Sequence, residues 1–358
     1  MRATTGVREH IDTENSQLPS GKLIMQRLSP LALLGVLTIV GIGCNPDSGQ
    51  VPDTNTPTLN LGRGINLGNK LEAPSEGEWG APVEAWMLTT IKQGGFATVR
   101  IPTRWSAHAA TSSPYTIDET FLDRVTRVVD QALSAGLMVV LNMHHYEEIF
   151  SDPQAQRDRF LALWQQIVTH FRDYPDTSLV FEVLNEPNTD LTPELWNEFL
   201  VDALAVIRQS NPDRYVMLGT AEWGGIGAMN RLQLPDDNRL IFTFHYYEPF
   251  QFTHQGAEWV TGSDAWLGTA WGTDQDKAAV QNDFDTVAAW ALQHDVPVFM
   301  GEFGAYSRAA LDDRLAWTAF VAREAEARGF SWAYWEFDAG FGAYTNGQWN
   351  ELHEALIP

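Results

Sequence analysis

FEVLNEP, residues 181–187, is an apolar run that stops abruptly on an amide, a carboxylate and a proline. It belongs to a longer stretch, LVFEVLN at 179–185, and VFMGEFG at 298–304 puts Glu302 in a similar place. Runs this short and this continuously apolar suit parallel strands covered on both faces, because half-exposed strands alternate apolar with polar. The same kind of run recurs at 63–69 (RGINLGN), 96–102 (FATVRIP), 137–145 (LMVVLNMHH), 215–220 (YVMLGT), 240–247 (LIFTFHYY) and 330–335 (FSWAYW). With VPVFMG at 296–301, the stretch that holds Glu302, these make eight candidate strands.

Helical patterns separate them. Phe121, Leu122, Val125, Val129 and Ala132 form one stripe, and Phe160, Leu163, Trp164, Ile167 and Phe171 form another. Thr192 followed by Pro193 and Glu194 is a cap residue with proline in the first helical position. Further helices are expected over 285–292 and 315–327, and a weakly marked one near 226–232. Gly136 and Gly329 stand where helices should end before a strand. Strands alternating with helices over about 300 residues predict an α/β fold, the (β/α)8 TIM barrel. An open doubly wound sheet would carry a phosphate-binding glycine turn after its first strand, and RGINLGN lacks that spacing.

In such a barrel the C-terminal strand ends converge on one rim, where active sites form. Asn66 and Asn69 close the first strand, Arg100 lies in the second, and His144, His145 and Tyr146 close the third. Asn185 and Glu186 close the fourth, and Glu222 and Trp223 follow the fifth. His245, Tyr246 and Tyr247 close the sixth, Glu302 the seventh, Trp335 and Glu336 the eighth. Singly, each has a plain structural reading: Arg100 as a buried scaffold cation, the histidines as core hydrogen-bonders, either glutamate as a helix starter. Jointly, ionisable groups at one end of five strands point to a site. Two glutamates across the mouth suit glycosidic hydrolysis, one to protonate the leaving oxygen and one to attack or to activate water. The gap between them decides the outcome: about 5–5.5 Å gives retention and roughly 6.5–9.5 Å inversion.

These residues carry a family likeness. LNEP at 184–187 is its most specific part, supported by VRIP (99–102), LNMHHY (141–146), HYY (245–247), GEFG (301–304) and Trp335. The chain resembles glycoside hydrolase family 5, the endoglucanase-type members of the retaining (β/α)8 clan, over about residues 61–357. That resemblance implies Glu186 as acid/base and Glu302 as nucleophile, with Asn185 on the sugar 2-hydroxyl. It implies that Arg100 orients Glu302, His245 bonds Glu186, Tyr247 lies against Glu302, and His144 sits near the cut with His145 behind it. Trp335 would floor the glucose ring; Asn66, Trp79 and Trp223 are further substrate-binding candidates. It also implies endo-action on a β-glucan such as cellulose or mixed-linkage glucan, without a cofactor, by a monomer. β-Mannan and xyloglucan remain alternative substrates on the same scaffold.

Loop aromatics bear on the groove walls. Trp79, Trp105, Tyr146, Trp223, Trp259, Trp266 and Trp271 all fall in expected strand-to-helix loops, three of them in the long 249–273 segment. Such residues pack loop on loop as readily as they stack on sugar. Glu336 and Asp338 either meet a sugar hydroxyl or end the strand. A zinc site is the competing use of the histidines and glutamates, but no HExxH spacing occurs. A non-catalytic carbohydrate-binding barrel would need the groove and Trp335 but not both glutamates.

The bulk composition agrees. The chain has 358 residues and formal charge −23, with 46 acidic against 23 basic side chains, which disfavours a phosphate-binding face and hence a nucleic-acid partner. Residues 28–43, LSPLALLGVLTIVGIG, follow Lys22 and Arg27 and precede Cys44, the only cysteine. A basic flank, a short apolar run and small residues read as an export signal; the run falls short of the roughly 20 residues of a membrane span. It resembles a bacterial lipoprotein signal, which implies lipidation at Cys44, an outer-membrane or cell-surface location and membrane contact through that anchor alone. Gly41 departs from the usual Leu, and cleavage to a freely secreted protein is the alternative. The expected organisation is thus a signal at 1–44, a polar linker at 45–60 and a catalytic barrel at 61–358.

Overall fold

The computed structural model describes residues 59–358. The signal at 1–44, with Cys44, and residues 45–58 of the linker lie outside the described residues. Leu59 already packs on the small apolar cluster at the barrel floor, two residues before the expected domain start.

Eight parallel strands close into a barrel in sequence order: β1 (Arg63–Asn66), β2 (Thr98–Ile101), β3 (Met138–Asn142), β4 (Leu179–Glu182), β5 (Val216–Gly219), β6 (Leu240–Tyr246), β7 (Val298–Phe303) and β8 (Ser331–Tyr334). β8 returns to pair with β1, Gly64 opposite Ala333. The strands are shorter than the apolar runs, since the polar tails of those runs leave the ladder and form the rim.

Side-chain period two divides each strand between two cores. Val139, Leu141, Phe181, Val216, Leu218, Phe242 and Phe244 face the helices within the main core. Val140, Val180, Met217, Ile241, Phe299 and Ala333 face inward and fill the barrel floor. Two residues further along, the same inward register carries Asn142 and Glu182, one step beyond the Val140 and Val180 that continue the Asn66–Arg100 pairing. The barrel interior is therefore apolar below and polar above.

Four buried tryptophans brace the strand ends from outside. The indole N–H of Trp105 donates to Asn142 O, of Trp164 to Val183 O, of Trp196 to Gly219 O and of Trp317 to Glu248 O, at 2.9–3.0 Å. Each buries a large apolar surface and satisfies a carbonyl just where the backbone turns to the rim.

Helices run over 119–134, 153–170 and 193–208 as the stripes predict, and Thr192 caps the last by accepting from Leu195 N. Gly136 (φ +80°) and Gly329 (φ +75°) adopt the left-handed conformation expected after a helix end. Three expectations change. The helix expected over 285–292 spans Asp274–His294 and starts at a capping box of Thr273 and Asp276. The weak 226–232 helix is a 3₁₀ helix, Ile226–Arg231. The 249–273 segment is folded, with a short helix Phe250–Thr253 and a 3₁₀ turn Ser263–Trp266. Among the described residues no helix is long and apolar enough to cross a membrane.

Candidate active site

Arg100, wholly buried, is the hub of the upper polar layer. Its Nε and Nη2 donate to the two oxygens of Glu182, each at 2.7 Å. Nη1 donates to Glu302 Oε1 at 2.7 Å and to Asn66 Oδ1 at 2.9 Å, and Nη2 also donates to Asn185 Oδ1 at 2.8 Å. Burial works against an ionised Glu182, but the guanidinium outweighs it and holds that carboxyl below its usual range. Charges this deep persist only when paired and hydrogen-bonded.

Glu302 is thereby fixed on both oxygens: Arg100 holds Oε1, and the Tyr247 hydroxyl donates to Oε2 at 2.9 Å. Burial, reinforced by the charges of Glu302 and Glu186, pushes the Tyr247 phenol well above its ordinary range, so it remains a donor.

Glu186 stands differently. It lies past the end of β4 at φ +47°, about a quarter exposed, with Oε1 2.7 Å from His245 Nδ1. Burial disfavours a charged His245, yet the nearby Glu302 and Glu186 carboxylates prevail and raise its pKa. A hydrogen on Nδ1 then donates to Glu186. The next turn backs this pair: Glu222, Trp223 and Gly224 are all left-handed, at φ +61°, +60° and +69°. Gly224 O accepts the His245 backbone N–H at 2.9 Å, and the Trp223 N–H donates to Pro187 O at 3.2 Å. A Cβ on Gly224 would lie 3.3 Å from the His245 ring and 3.5 Å from Glu186 Cγ, so glycine allows both the backbone angle and the close approach.

Glu186, Glu302 and His245 bring one ligand atom each within 4.8 Å of one another. The two carboxylates thus face each other across the site at close range.

Around them is a cavity of about 620 Å³ lined by Asn69, Trp79, His144, His145, Asn185, Tyr247, Trp335 and others. Trp335 lies parallel to His144, centroids 5.8 Å apart and planes at 8°. Gly68 makes room for it: a Cβ there would come within 2.9 Å of the indole. Burial first, then the neighbouring His145 and the Arg100 guanidinium, hold the His144 pKa far below its usual value, so the ring is neutral. Asn142 Nδ2 lies 3.0 Å from His144 Nδ1, which makes Nδ1 the acceptor and leaves the hydrogen on Nε2. His145, edge-on to Trp79 at 5.5 Å, is pushed down to about 4 by burial and by Arg104.

Most sequence-picked residues meet here, but not all as expected. Asn66 cannot reach a substrate: it is fully buried, its Oδ1 takes Arg100 and its Nδ2 donates to Gly301 O at 3.0 Å, tying β7 to the hub. Trp223 does not line the cavity, though it is 59% exposed on the turn behind Glu186. Trp105, Tyr146 and Trp271 are core residues. Trp259 does line the groove, edge-on to Tyr306 at 4.8 Å and beside Phe341. Glu336 is wholly buried, accepting from Ala339 N and Phe341 N, and Asp338 pairs with buried Lys70 at 2.8 Å. Both hold the loop after β8 in place. Sequence reading missed Glu182, whose charge inside an otherwise apolar strand was the available signal. It also missed His254, Tyr306 and Phe341, which carry no such mark.

Comparison with known proteins places this geometry. The cellulase (glycosyl hydrolase family 5) model matches residues 59–340. Endoglucanase H of Acetivibrio thermocellus is 36% identical over 331 residues, covering 89% of this chain and 35% of the relative. The chain therefore spans about a third of that curated relative's length. Among solved structures, Thermotoga maritima Cel5A in complex with mannotriose is 50% identical, with TM-score 0.82 over 84% of this chain and 98% of the other. The same enzyme in complex with cellobiose is 51% identical, with TM-score 0.82 over 83% and 97%.

Proposed function

The chain belongs to the cellulase family, glycosyl hydrolase family 5, and from that membership we propose that it is an endo-acting β-1,4-glucanase working by double displacement with retention. The observation that carries this reading is the Glu186–Glu302 approach, with ligand atoms within 4.8 Å, on the short side of the carboxylate spacings and so that of a nucleophile opposite an acid/base.

The residues divide the work as follows. A glucan lies with one ring on Trp335, its 2-hydroxyl within reach of Asn185, whose Oδ1 is already taken by Arg100 and whose Nδ2 is left to donate. Glu186 gives its proton to the glycosidic oxygen as that bond breaks, while ionised Glu302 attacks the anomeric carbon. The His245 Nδ1–H then stabilises the new Glu186 carboxylate. Glu186 next takes a proton from water, whose oxygen displaces Glu302 and restores the original configuration. Arg100 and Tyr247 fix Glu302 beforehand, so little reorganisation is needed when charge leaves it. Nothing in these steps calls on a cofactor.

Mannan is the second reading, favoured by the neighbour captured with mannotriose. Reducing-sugar release from carboxymethylcellulose, barley β-glucan, glucomannan, mannan and xyloglucan tests both. Cleavage of cellulose-type glucans, lost by at least ~10⁴-fold in Glu302→Gln, supports the reading; no cleavage of any by the folded protein overturns it.

Export and lipidation at Cys44, supported by the order of basic flank, apolar run and cysteine, belong to the same proposal, as does a monomeric barrel. Mass spectrometry of the mature N-terminus reads the first directly: a diacylglycerol-modified Cys44 supports it, and an unmodified later residue refutes it.

A further inference from the structure

Two loops supply much of the groove: the one after β1, with Asn69 and Trp79, and the one after β8, with Trp335, Ala339, Gly340 and Phe341. β1 and β8 are hydrogen-bonded neighbours, so these loops run side by side along the rim. Away from the cavity, the helix that follows the first loop and the chain after β8 bring a second aromatic group together. Trp86, in the first turn of helix Ala85–Gln93, is 42% exposed. That helix turns Met87, Leu88 and Ile91 to the core, so Trp86 stands off the face that packs on the barrel.

Trp86 lies 5.7 Å from the ring of Tyr344 and 6.2 Å from that of Phe337. Phe337, buried and lying in the chain between the groove residues Trp335 and Ala339, stacks under Tyr344 at 4.9 Å and 13°. Tyr344 is held by its own hairpin, Tyr344–Thr345 against Gln348–Trp349. Asn346 (φ +53°) and Gly347 (φ +79°) form the turn, and the Tyr344 hydroxyl donates to Gly347 O at 2.6 Å. The result is a braced aromatic surface, outside the catalytic cavity yet joined to the same two loops, through the helix after the first and the hairpin after the second.

We infer that Trp86, seated on Tyr344, is a remote platform for the substrate chain, engaging glucosyl units beyond those held in the cavity. An aromatic face suits the apolar face of a pyranose, and rigid rings bind with little loss of side-chain freedom. The polar hairpin tip, Thr345, Asn346 and Gln348, offers hydroxyl partners at its edge. The inference rests on the β-glucan reading above.

Two measurements separate the claims. The first is the ratio of kcat/KM on cellohexaose to that on an aryl cellobioside too short to reach the platform. The ratio should fall roughly three- to tenfold in Trp86→Ala, through KM, and recover in Trp86→Phe. A ratio equal to wild type overturns the inference. The second needs no turnover: retardation of the Glu302→Gln protein in gels containing β-glucan should weaken when Trp86→Ala is added. If wild type cleaves no glucan but retardation still depends on Trp86, the hydrolase reading fails and the platform stands. Undiminished retardation overturns the platform; self-association lost in Trp86→Ala with retardation unchanged would show a protein interface instead. Melting curves of each variant confirm that its barrel is intact.

Discussion

The two glutamates sit on opposite walls of one groove and are held in opposite ways. Glu302 is part of β7, almost wholly buried, with both oxygens fixed by Arg100 and Tyr247. Glu186 lies beyond its strand in a left-handed backbone, partly exposed, with a single side-chain partner, His245. The contrast suits the roles proposed for them. A nucleophile needs one charge state and one position, which a buried ion pair supplies. An acid/base loses and regains a proton each turnover, so it needs contact with water and a partner that tolerates both states. Strand geometry does the first job and a strained turn the second.

Several variants would break or sharpen that comparison. On the exposed wall, Glu186→Gln should cost ~10²–10⁴-fold on polysaccharide but far less on an aryl cellobioside with a dinitrophenolate leaving group, which needs no proton. Equal losses on both substrates would contradict its role. On the fixed wall, Arg100→Met strands Glu182 and Glu302 without their cation, and should lower stability by ~3–5 kcal/mol in denaturant titrations as well as activity. Gly224→Ala tests the turn behind Glu186: the left-handed backbone alone should cost ~1–2 kcal/mol, and crowding of His245 and Glu186 should slow poor leaving groups more than good ones. An unselective slowing would reduce the turn to a structural role.

The smallest effect concerns Glu336, beneath the groove. Burial, with the Asp338 charge, lifts its pKa from 4.5 to about 8 against the pull of the Phe341 and Ala339 N–H groups. Between those values the folded protein holds a proton that the unfolded chain has lost, so the group favours folding most at low pH. That advantage falls away as pH rises from 4.5 to about 8. The melting-temperature advantage of wild type over Glu336→Gln should therefore shrink by several degrees from about pH 5 to about pH 9. A constant difference would show that the carboxyl is ionised throughout.

Much of this was legible in the chain because a barrel converts a linear pattern into a place: apolar run, then polar tail, eight times. Residues on strands obeyed that rule. Glu182 left a signal too, since a carboxylate inside a doubly covered strand demands a cation, and Arg100 on β2, two strands away, supplies it. The loop aromatics left none. Trp105 and Trp259 both follow strands, yet one braces β3 from the core and the other lines the groove. Burial of a loop residue depends on neighbours remote in sequence, and no local period records it. The helix at Asp274–His294 was half missed because its early turns are polar, although the Thr273–Asp276 capping box marked its start.

The central claim is that Glu186 and Glu302 act as a retaining pair, and the anomeric configuration of the first product tests it most directly. Proton NMR of a β-glucan oligosaccharide digest, followed from the first minutes, should show the β-anomer appearing first and the α-anomer growing only later by mutarotation. An α-anomer that leads from the outset would mean a water between the carboxylates, and would contradict the account.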